Sequence, residues 1–124
     1  MPGRDDDPFR KILRELVNGL PEAWGAIFVD WEGESVELFA TSDEYEVKLA
    51  GAEAQLLLSR MVSSGKDAGL GRTSSAMIRA GEHAFFLHTL DEEYFVLLAA
   101  NAGVLAGLAR ARLAAAVVAL RRHV

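Results

Sequence analysis

The C-terminal end of the chain constrains the fold most. Residues 94–100 are apolar on both faces of a strand, and such a strand has to lie inside a sheet that is covered on both sides. Asn101 and Gly103 mark a turn after it, and residues 104–120, rich in Ala, Leu and Val, predict a helix that covers one face of the sheet. The ending therefore predicts a layered α/β domain.

The length and composition favour one ordinary globular domain. A chain of 124 residues, 51% of them hydrophobic, builds one core but is too short for a cofactor domain beside a substrate domain. We expect residues 1–7, which do not resemble a signal peptide, to be disordered, and residues 8–122 to form a single domain. No cysteine is present, which excludes thiol catalysis and Cys-ligated zinc. No apolar run approaches the roughly 18 residues of a membrane span, so we expect a cytoplasmic protein.

Negative charge is concentrated in the middle of the first half of the chain. Residues 30–46 contain no Lys or Arg. Because such a block repels phosphate, nucleic acid is an unfavourable partner. The block forms either a solvated edge or a docking surface for a basic partner; its acidic residues are Asp30, Glu32, Glu34, Glu37, Asp43, Glu44 and Glu46.

Hydrophobic periodicity and turn residues predict eight elements. Their order is helix, strand, strand, helix, three strands and helix, which predicts a three-layer α/β/α fold around a five-stranded, mainly antiparallel sheet. The first strand is apolar on both faces and should be central, whereas the second alternates and should lie closer to an edge. The predicted helices are residues 8–20, 45–64 and 104–120, and the predicted strands are residues 23–29, 35–40, 72–80, 83–90 and 94–100.

Local signals fix several element ends. Asp7 before Pro8 is typical of a helix start, and Ser42 or Asp43 is placed to cap the second helix. Gly65 is expected to close that helix, and Gly33 is expected to give the first hairpin the positive φ of a tight turn.

The second helix has apolar residues on two sides. One arc of about 140° is wide enough to cover a sheet. A second stripe, Leu49 and Leu56 extended by Ser63, has the seven-residue spacing of a contact with another helix, although two surface leucines are also common. A carboxylate at Leu56 is therefore predicted to favour the monomer. The sheet-covering arc consists of Val47, Ala50, Gly51, Ala54, Leu57, Leu58, Met61 and Val62.

The third strand is the most polar one. Residues 72–80 contain no proline, and charges only flank them, so little blocks their pairing with another chain. This pattern predicts an edge strand that is used for dimerisation.

No pattern for catalysis or cofactor binding is found. The glycines of residues 65–71 follow a helix and contain no phosphate-loop motif, and no nucleophile–base pair has a readable spacing. His83 and His88 are five residues apart on one strand, so they should point to opposite faces and cannot share a metal ion. We expect no intrinsic enzyme activity and no cofactor.

The chain resembles the roadblock/dynein light-chain family, and above all its bacterial members. The resemblance rests on the order of elements, on the D-x-x-G turn from Asp30 to Gly33 and on the start of the last helix at Gly107-Leu108-Ala109-Arg110, and it spans residues 8–122. It implies a homodimer or heterodimer with one sheet running through both third strands and the second helices side by side. Members of this family are partners, scaffolds or activators of small Ras-like GTPases, or adaptor subunits of dynein.

The resemblance and the two surface features together predict interaction sites. The dimer interface is expected to contain Leu49, Leu56, Ser63, Thr73, Ser75 and Met77. A platform on the second helices of both protomers is expected to bind the partner, and its residues are Lys48, Ala52, Gln55, Ser59 and Arg60.

Three function classes follow from these expectations. The preferred one is a non-catalytic, homodimeric regulator or adaptor that docks a Ras-like GTPase or another roadblock-type protein. The alternative is a GTPase activator, with Arg60, Arg72 and Arg79 as candidates for an arginine supplied to the GTPase, although each also fits as a solubilising residue. A small-molecule sensor is a third class, for which the sequence has no convergent polar set.

Overall fold

The first helix begins where the sequence predicts. In the computed structural model, which describes residues 3–124, helix α1 spans Pro8–Asn18, with Pro8 in its first turn. The Asp7 carboxylate accepts a hydrogen bond of 2.8 Å from the backbone N–H of Phe9, which satisfies one donor that the helix itself leaves unpaired. Gly19 ends the helix, slightly before the predicted end at residue 20.

The remaining elements follow the predicted order. The turn of the first hairpin contains Gly33 at a φ of 91°, as expected, and the carboxylate of Asp43 caps the second helix by accepting a 2.9 Å hydrogen bond from the N–H of Tyr45. The elements after α1 are β1 (Ala23–Asp30), β2 (Ser35–Ala40), α2 (Glu44–Asp67), β3 (Ser75–Ala80), β4 (His83–Thr89), β5 (Tyr94–Asn101) and α3 (Ala106–Arg121).

The five strands form one antiparallel sheet. Their order is β2-β1-β5-β4-β3, and every neighbouring pair is antiparallel. The apolar strand β5 is in the centre, and the more polar strands β2 and β3 are at the two edges, which confirms the predicted positions.

Helices cover both faces of the sheet. Helices α1 and α3 pack on one face around a core that contains Phe28, Phe86 and Leu98, whereas α2 packs on the other face around Ile27 and Leu97. Alternate residues of β1 and β5 therefore enter different cores, as a strand without a polar face requires. The three-layer α/β/α fold class is confirmed.

Two glycines bring α2 close to β1. A Cβ atom at Gly25 would overlap the side chain of Val47, and a Cβ atom at Gly51 would lie 3.0 Å from the side chain of Ile27. The helix can approach the strand this closely because neither backbone carries a side chain at the crossing.

Gly25→Ala is expected to destabilise the protein by about 1–3 kcal/mol, because the added methyl group forces Val47 and its helix outward. Gly103→Ala is a matched control, since a Cβ atom there meets nothing within 4 Å. Denaturant titration of both variants measures the free energy of unfolding. Similar losses at the two positions would contradict the close crossing of α2 and β1.

Two predicted boundaries lie furthest from those of the structure. Helix α2 does not end at Gly65 but continues to Asp67. A Cβ atom at position 65 would lie 2.9 Å from the carbonyl oxygen of Gly71, so this glycine lets the following loop fold back onto the helix. Strand β3 begins at Ser75 and not at residue 72. Residues 72–74 do not continue the strand, because the Arg72 guanidinium lies over the Trp31 ring, 5.5 Å from its centroid.

The segment before α1 contains one 3-10 turn, Arg4–Asp6. Residues 1 and 2, where part of the predicted disorder falls, lie outside the described residues. Disorder stays a prediction for those two residues, whereas Arg4 is held by ion pairs with Glu37 and Glu44.

Candidate functional site

Helix α2 covers only one half of its face of the sheet. It packs mainly against β1 and β2, so a groove remains between α2 and the half formed by β4 and β3. The groove has a volume of about 600 Å³. Its lining residues are Trp24, Glu46, Leu49, Ala50, Glu53, Ala54, Leu57, Ile78, His83, Phe85, Leu87 and Leu97.

The groove is apolar in its interior and acidic at its helical rim. Leu49 and Leu57 of α2 are 50% and 42% exposed beside it, and the carboxylates of Glu46 and Glu53 lie on the same helix. The indole N–H of Trp24 is buried there without a hydrogen-bond partner within residues 3–124. Exposed apolar side chains of this size, lined up along a groove, are typical of a surface that another protein covers.

The open edge of β3 borders the groove. Ile78 lies on the α2 side of this strand, and Met77, on the other side, is 47% exposed. Within residues 3–124, no side chain makes a hydrogen bond to the backbone of β3. The strand can therefore accept another strand at its free edge.

The predicted interface residues lie on α2, on β3 and in the loop between them. Leu49 lines the groove, whereas Leu56, which is 60% exposed, is outside it. Ser75 and Met77 lie on β3, and the half-buried Thr73 lies in the loop before that strand. Ser63 is exposed on α2.

Leu57 lines the groove although the helical wheel assigns it to the sheet-covering arc. It is 42% exposed, and Met61 of the same arc is 37% exposed, because α2 is displaced towards β2 and one margin of its apolar arc has no sheet beneath it. The apolar arc of α2 is wider than the part of the helix that the sheet buries. That excess width is the signal in the sequence that α2 is displaced.

The predicted partner-binding residues lie on the side of α2 that faces the first hairpin and on its outer surface. The amide N–H₂ of Gln55 donates to the Trp31 carbonyl at 2.7 Å and to the Ser59 hydroxyl at 3.2 Å, so these residues tie the helix to the hairpin turn. Lys48, Ala52 and Arg60 are exposed.

Several carboxylates of the acidic block form hydrogen bonds or ion pairs within the chain. Asp30 accepts from the N–H groups of Glu32 and Glu34 at 2.9 and 3.0 Å within its own turn. Arg4 donates to both Glu37 and Glu44, at 2.9 and 2.7 Å. These charge-assisted hydrogen bonds raise the pKa of Arg4 and lower that of Glu44.

The candidate arginines differ in their contacts. The Arg72 guanidinium lies over Trp31, and that of Arg79 donates to the carbonyl of Ala102 at 2.7 Å. Arg60 makes no side-chain hydrogen bond or ion pair within the described part of the chain.

The two strand histidines are on opposite faces, as predicted. His83 lies beside Trp24 in the groove, with ring centroids 5.6 Å apart, and His88 lines a shallow cavity near α3. In residues 3–124, no three His, Asp or Glu side chains are grouped closely enough to hold a metal ion. No helix in that range is long and apolar enough to cross a membrane.

Solved structures with this architecture include a Roadblock/LC7 domain and the proteins MglB and MglC. A Roadblock/LC7 domain from Streptomyces avermitilis is 18% identical with a TM-score of 0.83, and the match covers 91% of this chain and 94% of that one. MglB from Myxococcus xanthus is 12% identical with a TM-score of 0.82 over 96% of each chain. MglC from Myxococcus xanthus is 22% identical with a TM-score of 0.69 over 94% of this chain and 99% of that one.

The sequence itself gives no comparable match, since neither a protein-family model nor a curated protein matches it. The likeness in structure nevertheless confirms, at the level of the fold, the resemblance inferred from the element order and the two turns. The chain therefore has the fold that Roadblock/LC7 domains share with the MglB proteins.

Proposed function

We propose that this protein is a non-catalytic, homodimeric regulator or adaptor that docks a small Ras-like GTPase or another roadblock-type protein. The observation that carries the proposal is the apolar groove beside α2, which runs along the open edge of β3. Together they form one continuous surface suited to binding protein. The GTPase partner comes from the resemblance to the roadblock family, and it implies a cytoplasmic location.

A second copy of the chain fits this surface. Pairing of two β3 strands about a two-fold axis joins the sheets and brings the partner protomer's α2 over the uncovered half of the sheet. Leu49 and Leu57 of both copies are then removed from water, and both grooves are filled. One symmetric contact thus covers the open edge and the groove together.

Light scattering at micromolar concentration is expected to give about twice the chain mass of 13.4 kDa. A mass of 13.4 kDa over the same concentration range would overturn the homodimer. It would leave pairing with a different roadblock-type protein to be tested by co-expression.

Reversing two exposed charges of α2 is expected to weaken partner binding without dissociating the dimer. Lys48 and Arg60 are exposed, and a two-fold dimer presents both copies of each on the same side. Exposed charges at the edge of an interface contribute little each, so Lys48→Glu with Arg60→Glu should weaken binding of a Ras-like GTPase roughly tenfold at low salt.

The control for that experiment is Lys11→Glu, an exposed charge on α1 in the opposite layer. Calorimetric titration measures the affinity, and light scattering verifies that the dimer persists. Equal affinities for the wild type and the double variant would place the docking surface elsewhere.

The second candidate is a GTPase-activating protein. Of the three candidate arginines, Arg60 is the one best placed to be supplied to a GTPase. Arg72 and Arg79 are engaged within the chain, whereas Arg60 is free to reach a bound partner in the described structure. An arginine supplied to a GTPase contributes on the order of 10³–10⁵ in rate.

A GTPase assay separates the two candidates. The adaptor proposal expects no GTP turnover by this protein alone and less than about a tenfold acceleration of a bound GTPase. A larger acceleration that Arg60→Ala abolishes would replace the adaptor by the activator.

A further inference from the structure

The backbone groups at the two edges of the sheet differ in their hydrogen bonds to side chains. At β3 no side chain of residues 3–124 covers the backbone, whereas at β2 both backbone polar groups of Leu38 bind side chains. The Leu38 carbonyl accepts from Arg10 Nη1 at 2.6 Å, and its N–H donates to Glu37 Oε1 at 3.0 Å.

Leu38 lies in the middle of β2 and is one of the residues to which a strand arriving at the outer edge would bind. Backbone groups of successive strand residues point alternately to the two sides, and β1 occupies the inner side of β2. Since the groups of Leu38 bind Arg10 and Glu37, they face the outer side. The N–H of Leu38 is therefore already paired, and the Arg10 guanidinium occupies the outer side of its carbonyl.

A network of charges holds this arrangement in place. Arg4 joins Glu37 and Glu44 at 2.9 and 2.7 Å, and Arg10 joins Asp5 at 3.0 Å. The side chains of Arg10 and Glu37 are only 14% and 12% exposed. The Arg10 guanidinium also lies 5.4 Å from the centroid of the Phe39 ring, so packing as well as charge fixes it.

We infer that Arg4, Arg10, Glu37 and Glu44 form an edge cap that closes β2 to strand addition. The cap matters for assembly because a dimer joined through β3, as proposed above, carries one β2 edge at each end of its sheet. Uncovered strand edges of this kind can pair with the strands of further copies. With the cap in place the sheet grows at β3 alone, and assembly stops at two copies.

The test removes the two arginines. In the full chain, Arg4→Ala with Arg10→Ala is expected to raise the average mass in light scattering at least twofold above that of the wild type, and the mass should rise with protein concentration. Lys11→Ala with Arg14→Ala is the matched control, because it removes the same charge from the same end of the chain, and neither side chain makes a hydrogen bond or ion pair with β2 within residues 3–124. An unchanged mass of the first variant, or an equal increase in the control, would overturn the inference.

A rescue experiment separates edge pairing from loss of folding. Val36 is 42% exposed on β2, and Val36→Lys places a charge beside the opened edge, which disfavours strand pairing. Added to the double variant, it is expected to return the mass to the wild-type value. Persistence of the higher mass would show that the increase does not come from the β2 edge and would also overturn the inference.

Amide hydrogen exchange gives a readout that does not depend on assembly. The N–H of Leu38 is expected to exchange slowly in the wild type and at least tenfold faster in Glu37→Ala. Equal exchange rates would contradict the cap. The proposed dimer is judged separately, by the mass of the wild type, so a monomeric wild type whose double variant gains mass would refute the dimer and support the cap.

Discussion

Leu98→Ala is expected to lower the free energy of unfolding by about 2–5 kcal/mol. Leu98 is fully buried on the central strand β5, opposite Ala26 of β1 and Phe86 of β4. Truncation leaves a cavity in the core under α1 and α3. The flanking strands are hydrogen-bonded on both sides and cannot close in to fill it. Denaturant titration at a fixed protein concentration measures the loss, since the proposed dimerisation would make stability depend on concentration.

Leu70→Ala is the matched control for this variant. It removes the same atoms from a side chain that is 83% exposed in the loop after α2, so the expected change is within about 0.5 kcal/mol. A loss below about 1 kcal/mol at Leu98 would be inconsistent with a central position of β5 in the sheet.

The layered fold could be predicted because its strongest signals are local. Residues 94–100 lack a polar face, which requires cover on both sides, and the polar residues of β3 are acceptable only at an edge. Asp7, Asp43 and Gly33 fix element ends through hydrogen bonds or a positive φ within a few residues. Such signals do not depend on where the elements come to lie in space.

The position of α2 over the sheet could not be predicted in the same way. A helical wheel gives the direction of each side chain but not the lateral position of the helix, and that position depends on Gly25 and Gly51, which are far apart in sequence. Because α2 lies towards β2, Leu57 borders the groove, whereas Leu56 is exposed outside the groove lining. The stripe of Leu49, Leu56 and Ser63 stays a prediction for the dimer seam, and the groove offers Leu57 as a second candidate.

The start of β3 depends on contacts of the same long-range kind. Residues 72–74 have the composition of a strand, but Arg72 stacks on Trp31 of the first hairpin, and Gly65 lets the loop fold against α2. Thr73 consequently precedes the strand that it was expected to belong to. Neither contact has a signature in the local sequence.

Leu57→Asp is expected to convert the proposed dimer into a monomer. In the single chain Leu57 is 42% exposed, so a carboxylate there stays hydrated and the fold persists. In the dimer the groove is covered, and each copy would bury an unpaired charge, which costs several kcal/mol. Even about 3 kcal/mol weakens association more than a hundredfold, and light scattering at micromolar concentration should then give 13.4 kDa.

The comparison with Leu56→Asp decides which stripe of α2 forms the seam. Leu56 is 60% exposed outside the groove, so a side-by-side arrangement over the open half of the sheet leaves its carboxylate largely hydrated. Leu56→Asp should then weaken the dimer much less than Leu57→Asp. The opposite order of effects would mean that the helices meet through the predicted stripe of Leu49, Leu56 and Ser63. In that case the groove would remain open to a partner other than a second copy.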